Sequence, residues 1–222
     1  SRGHATPLYY PRGELPGLIR TLASEKRAPK LVVLENVAGA LTSHGGRDFS
    51  AIASALSNAG YRYGPLVVDA REFVPQSRPR LFIVAVRSDL PIPPGLLRQA
   101  PDPHWHTKSV LAGHEAVSRS AQKSWLWWNI PRPNFQPARF SDLIEESPTG
   151  VAWHTKAETR RLLEMMTDRN LEKVRAAQRA GRKLVGTIYR RTRPTPDGGK
   201  AQRAEVRFDD VSGCLRTPVG GS

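Results

Sequence analysis

The chain has 222 residues, with 34 Lys and Arg against 20 Asp and Glu, a formal charge of +14 and an isoelectric point near 10.7. That length holds one full domain plus a smaller one, the 39% apolar content is too high for general disorder, and the charge favours a polyanionic partner, most simply nucleic acid. A single cysteine, Cys214, excludes an internal disulfide and a cysteine-rich zinc site, and no apolar run approaches the ~20 residues that cross a bilayer.

Residues 1–16 are rich in Gly, Pro, Arg and Tyr and have no period, as in a loop. Leu18 to Ala23 reads as a short helix, and Pro29 as the turn out of it. Leu31-Val32-Val33-Leu34 is an unbroken apolar run, which suits a parallel strand covered on both faces. Glu35 and Asn36 then stand at its carboxyl end, where open α/β sheets bind ligands. A loop follows through Gly46. Asp48 is the expected N-cap of a helix running to Ala59, with Phe49, Ile52, Ala53 and Leu56 on one face and Gly60 just past its end. Leu66–Asp69 is the next strand, which makes one α/β crossover unit. Arg71 to Arg80 is a basic, proline-containing loop before the apolar strand Leu81–Val86.

Residues 88–150 change character. Prolines cluster there among Trp105, Trp125, Trp127 and Trp128, as in an irregular domain whose aromatics form a small core. Thr155 and Glu158 have capping-box spacing, and a helix follows with a break at Asp168–Asn170 and a stop at Gly181. Leu184–Tyr189 reads as a strand that runs into Arg190, Arg191 and Arg193 and a turn at Pro196–Gly199. Residues 151–222 hold sixteen Lys and Arg against eight Asp and Glu, so this third carries most of the net charge. The basic strand and its turn suit entry into a DNA groove, and equally a hairpin in water.

Three blocks occur in order: Leu34-Glu35-Asn36-Val37, then Pro75-Gln76-Ser77-Arg78-Pro79-Arg80, then Gly213-Cys214-Leu215-Arg216-Thr217-Pro218. Together they resemble the DNA cytosine-5 methyltransferases. The resemblance implies an α/β fold, part of a Rossmann-like methyltransferase sheet that uses S-adenosylmethionine, with a second, loop-rich target recognition domain. It divides the chain into 1–87 (catalytic domain), 88–205 (target recognition domain) and 206–222 (return toward the catalytic domain). The implied partner is double-stranded DNA and the implied setting the bacterial cytoplasm.

In that chemistry a thiolate adds to cytosine C6, C5 takes the methyl group, and charge builds toward N3. A carboxyl group sharing its proton with N3 offsets that charge. By resemblance Glu35 is that group, Asn36 helps hold the loop and the base, and Arg80 contacts a cytosine turned out of the duplex. Arg78 supports Arg80 or binds a phosphate. Arg190, Arg191, Arg193 and Arg216 are the expected nucleic-acid contacts, and no metal is expected. Cys214 falls in the third block, so the resemblance gives it a buried structural role and not that of the nucleophile.

The sequence also departs from the family. It shows no glycine-rich cofactor turn after a first strand and no Pro-Cys loop ahead of Glu35, so the chain alone is expected not to methylate DNA. Three explanations stay open: a piece of a longer enzyme, one subunit of a split enzyme whose partner chain carries the cysteine, or a DNA-binding remnant. Methylation of RNA is a weaker alternative.

Overall fold

The computed structural model describes residues 28–214 together with Gly17, Ile19, Thr21 and Ser24. These four are helical, in keeping with the short helix expected there, and Leu18, Arg20, Leu22 and Ala23 lie outside the described residues. The protein is mixed α/β, as expected. It divides into two compact units, one comprising the described residues up to Val68 with Pro79–Arg132, the other Asp69–Arg78 with the described residues from Pro133 onward. This division differs from boundaries at 87 and 205, since 88–132 packs with the strands before it and the loop 69–78 with the later chain.

The first unit is built on a three-stranded sheet of β1 (Leu31–Val37), β2 (Tyr61–Asp69) and β3 (Pro79–Arg87) in the order β1-β3-β2. The covered parallel strand expected at Leu31 is not what forms. β1 pairs antiparallel with β3, Leu31 opposite Val86 and Val37 opposite Arg80, and it is an edge strand among the described residues. Strand side chains alternate between faces. Val32 and Leu34 therefore pack on the main core, while Leu31, Val33 and Val37 are about half exposed.

The crossover helix is α1 (Arg47–Asn58), and it buries Phe49, Ile52, Ala53 and Leu56 as its periodicity predicts. Its cap differs from expectation. Gly46 is the N-cap, with φ of 84°, and Asp48 sits inside the first turn. The Asp48 carboxylate accepts from Ser43 Oγ at 2.6 Å and bonds His44 Nδ1 at 2.9 Å, and so serves the preceding loop. Gly60 follows the helix with φ of 80°, a conformation that glycine adopts without strain. β2 starts at Tyr61, five residues earlier than read from the apolar run, because Tyr61 and Tyr63 are inward-facing core residues.

Residues 88–132 complete this unit. They contain β4 (Leu97–Arg98), paired with β5 (Trp127–Trp128), and two helices, α2 (Lys108–Ala116) and α3 (Arg119–Lys123). Trp105, Trp125 and Trp128 are buried, so these aromatics are core, as expected. Trp105 Nε1 donates to the Ile130 carbonyl at 2.8 Å, and Trp128 Nε1 reaches the Gly64 carbonyl at 3.2 Å. Buried indoles usually find such partners. A Cβ at Gly64 would lie 2.3 Å from the Leu126 carbonyl oxygen and 2.8 Å from the Trp128 ring.

The second unit holds α4 (Lys156–Glu164), α5 (Asp168–Arg179) and a hairpin of β6 (Thr187–Pro194) and β7 (Lys200–Arg207). The Thr155–Glu158 capping box is present in full. The helical break falls at Met165–Thr167, just ahead of the expected position, and Gly181 with φ of 64° follows the end of α5. Met166, Ala204 and Val206 form the core, with Leu163, Leu171 and Val174 against them. β6 begins at Thr187, not Leu184, and continues through Arg193, so the basic run lies in a strand paired with β7. The turn at Thr195–Gly199 matches the expected one, with Gly198 N–H donating to the Thr195 carbonyl at 2.9 Å.

Two outcomes follow from this packing. Gly64→Ala meets backbone and a buried indole, so it should destabilise the first unit by about 1–3 kcal/mol in denaturant unfolding. His106 is 1% exposed, its Nδ1 accepts the Asp102 N–H at 2.8 Å, and its Nε2 has no hydrogen-bond partner. Burial pushes its pKa below the usual 6.5 despite the opposing pull of Asp102. The unfolded chain therefore takes up the proton first, and this contribution to stability is complete above 6.5 and is lost as pH falls below it. A thermal midpoint measured against pH should decline below 6.5, and His106→Gln should remove part of that decline.

Candidate active site

The register of the β1–β3 ladder builds the centre of the site. Glu35 stands opposite Phe82, and Arg80 is two residues earlier on β3, on the same face. Diagonal neighbours across an antiparallel pair are within reach of long side chains. Arg80 Nε lies 3.2 Å from Glu35 Oε1, and Arg80 Nη1 also donates to the Pro79 carbonyl at 2.9 Å. Only 18% of the Arg80 side chain is exposed, against 56% for Glu35. The arrangement is a seated guanidinium holding an open carboxylate. One carboxylate oxygen is engaged by Arg80, which leaves the group able to accept from, or share a proton with, a polar ring edge.

Asn36, next along β1, points to the opposite face and is exposed, and its Oδ1 accepts the Val37 N–H at 2.8 Å. This local bond fixes the strand end. The end of β1 thus carries a carboxylate clamped by arginine and an amide turned on its own backbone. Among the described residues no group of three or more His, Cys, Asp or Glu is placed to hold a metal ion. No helix among them is long and apolar enough to cross a membrane.

Arg78 belongs to the second unit. Its backbone N–H donates to Asp69 Oδ1 at 2.6 Å, and its Nη1 donates to Cys214 Sγ at 3.0 Å. Cys214 is therefore exposed and engaged by arginine, where a buried structural cysteine was expected. Ser212, two residues earlier, is buried and tied to Pro75 and Ser77 through backbone bonds, and the chain comes to the surface by Cys214. Sequence reading also missed Asp69, whose carboxylate organises the loop before Arg78. Its only signal is an acidic residue where an apolar strand meets a loop.

The expected nucleic-acid contacts lie in the second unit. Arg190, Arg191 and Arg193 are exposed on β6. Arg191 stacks its guanidinium 4.9 Å from the Tyr189 ring centroid, and Arg193 pairs with Glu205 of β7 at 2.5 Å. Arg190 stands across the ladder from Ala204. Arg216 lies outside the described residues. A cavity of about 490 Å³ in this unit is lined by Lys173, Ala176, Leu184 and Phe208, with Arg207 and Asp209 paired at its side.

The orphan methyltransferase M.SPRI of Bacillus phage SPR is 25% identical over 205 residues, covering 86% of this chain and 45% of that protein. The orphan methyltransferase M.SPBetaI of Bacillus phage SPbeta is 39% identical over 70 residues, covering 31% of this chain and 16% of that protein. The chain thus spans less than half the length of these curated relatives. The solved S. pombe Dnmt2 methyltransferase is similar with a TM-score of 0.41 at 14% identity, over 68% of this chain and 39% of that one. The sequence profile of C-5 cytosine-specific DNA methylases matches residues 10–213, and the chain belongs to that family.

Proposed function

We propose that this chain supplies the base-activating carboxylate and the DNA-reading surface of a DNA cytosine-5 methyltransferase. The observation that carries the reading is the Glu35–Arg80 pair, 3.2 Å apart on one face of the ladder in a chain of this family. In this reading the target cytosine leaves the duplex and presents its N3 edge to Glu35. Glu35 shares a proton with N3 as charge develops there, and Arg80 keeps the carboxylate in place and donates to the base. Asn36 secures the end of β1, and Arg78 supports the base or a phosphate. S-adenosylmethionine is the methyl donor that the family implies.

The cysteine nucleophile and the cofactor contacts come from sequence outside the described residues, in this polypeptide or in a second chain. The half-exposed apolar side chains Leu31, Val33 and Val37 on edge strand β1 support a covering segment there. The last third of the chain, residues 151–222, with most of the basic excess, reads double-stranded DNA through Arg190, Arg191, Arg193 and Arg216. A bacterial cytoplasm is the proposed setting.

Two measurements test this. In the full-length protein, Glu35→Gln should lower the rate of methyl transfer about a hundred- to ten-thousand-fold, as for loss of a positioned proton donor, with DNA affinity held. An unchanged rate removes Glu35 from the chemistry. Arg190→Ala should weaken binding to duplex DNA of mixed sequence and reduce the slope of log affinity against log salt by about 0.9, the signature of one lost phosphate contact. Arg193→Ala should change that slope less, because Glu205 already balances its charge.

A further inference from the structure

We propose that Asp69 is a positioning residue for Arg78, and that Cys214 forms the other end of the same clamp. The inference deepens the reading of Arg78 as a contact to the target base or its phosphate, and rests on it for its functional consequence.

Asp69 ends β2, and the loop it begins returns to it nine residues later. One carboxylate closes that loop. Asp69 Oδ1 accepts the N–H of Arg71 at 3.2 Å and of Arg78 at 2.6 Å, and Asp69 Oδ2 accepts Ser77 Oγ at 3.1 Å. The adjacent Ala70 N–H donates to the Arg78 carbonyl at 3.3 Å. Hydrogen bonds to an ionised acceptor are the strong kind, and here they converge on both ends of one loop.

The far side of the loop is held separately. Ser77 N–H donates to the Ser212 carbonyl at 2.9 Å, and Ser212 N–H donates to the Pro75 carbonyl at 2.8 Å. Two residues beyond Ser212, Cys214 Sγ accepts from Arg78 Nη1 at 3.0 Å. The Arg78 backbone is thus fixed by Asp69, and its guanidinium by the 212–214 segment. A long arginine side chain held in this way has surrendered its rotamer freedom before a ligand arrives, which is preorganisation. Neither anchor need touch DNA.

Cys214 is the one cysteine of the chain, so it reports on its own contact. The experiment measures the rate of Cys214 alkylation by peptide-resolved mass spectrometry in the full-length protein, in Asp69→Ala, Arg78→Ala and the double variant. The isosteric Asp69→Asn, which keeps one acceptor oxygen, carries the test where Asp69→Ala does not fold. Arg78→Ala should change the rate several-fold. Asp69→Ala should change it in the same direction, the double variant should match Arg78→Ala, and Asp69→Asn should return part of the way to the parent rate. A parent-like rate in Asp69→Ala overturns the proposal, as does a double variant in which the two changes multiply, or a parent-like rate in Arg78→Ala.

Methyl transfer is read on the same proteins. Arg78→Ala should lower kcat about tenfold, as for an arginine contact to base or phosphate, and Asp69→Ala should add no loss to it. Alkylation rates that follow the expected pattern, with methyl transfer untouched by Arg78→Ala, uphold the clamp and overturn the functional reading of Arg78 instead.

Discussion

The register of two paired strands decides whether this site exists. β1 and β3 meet with Glu35 opposite Phe82, which places Val32 and Leu34 with Ile83 and Ala85 against the main core. The other face of the same ladder then carries Glu35 and Arg80. A slip of one residue would turn Glu35 into the core and lift Leu34 out of it. The free energy that fixes the pair therefore comes from apolar burial on the opposite face. The ion pair itself adds little, since a pair whose carboxylate is more than half exposed to water contributes about 0–1 kcal/mol. What the packing supplies to the chemistry is placement.

Much of the fold was legible because its signals are local. The buried face of α1, the capping box at Thr155, and the glycines after α1 and α5 all depend on residues within a few positions of each other. Where reading failed, the deciding partner was distant in sequence. The Leu31 run looks like a strand covered on both faces, but its direction and exposure depend on β3, some fifty residues away. Asp48 has the chemistry of an N-cap, yet Ser43 and His44 claim its carboxylate and Gly46 takes the cap. Tyr61 and Tyr63 did not extend the apolar run, yet α1, the sheet and Trp125 bury them as core. The proline-rich stretch after Arg87 gave no sign that its tryptophans would complete the core beside Leu66 and Val84.

The site was legible in part for a related reason. Glu35 and Arg80 stood out through blocks of sequence, and the ladder joins them. Asp69 did not, because an aspartate after an apolar run is common and its role appears only when the loop closes on it. Cys214 was misread because burial was inferred from its place in the third block, whereas it is exposed and meets Arg78 from far earlier in the chain.

Charge was the first clue to function, and it is also the one that composition overstates. The hairpin places Tyr189, Arg191 and Arg193 on the same face as Glu205, which is only 18% exposed and draws both arginines toward it. Those two guanidinium groups carry less net charge to a phosphate than their number suggests, but they are held at fixed positions. Arg190 stands on the other face, across from Ala204 and away from Glu205. A strand thus sorts neighbouring arginines into a positioned set and an electrostatic set through alternation alone. If the run meets DNA as proposed, salt-dependent affinity would belong to the second set and geometric discrimination to the first, a distinction that the sequence, read as a block, does not show.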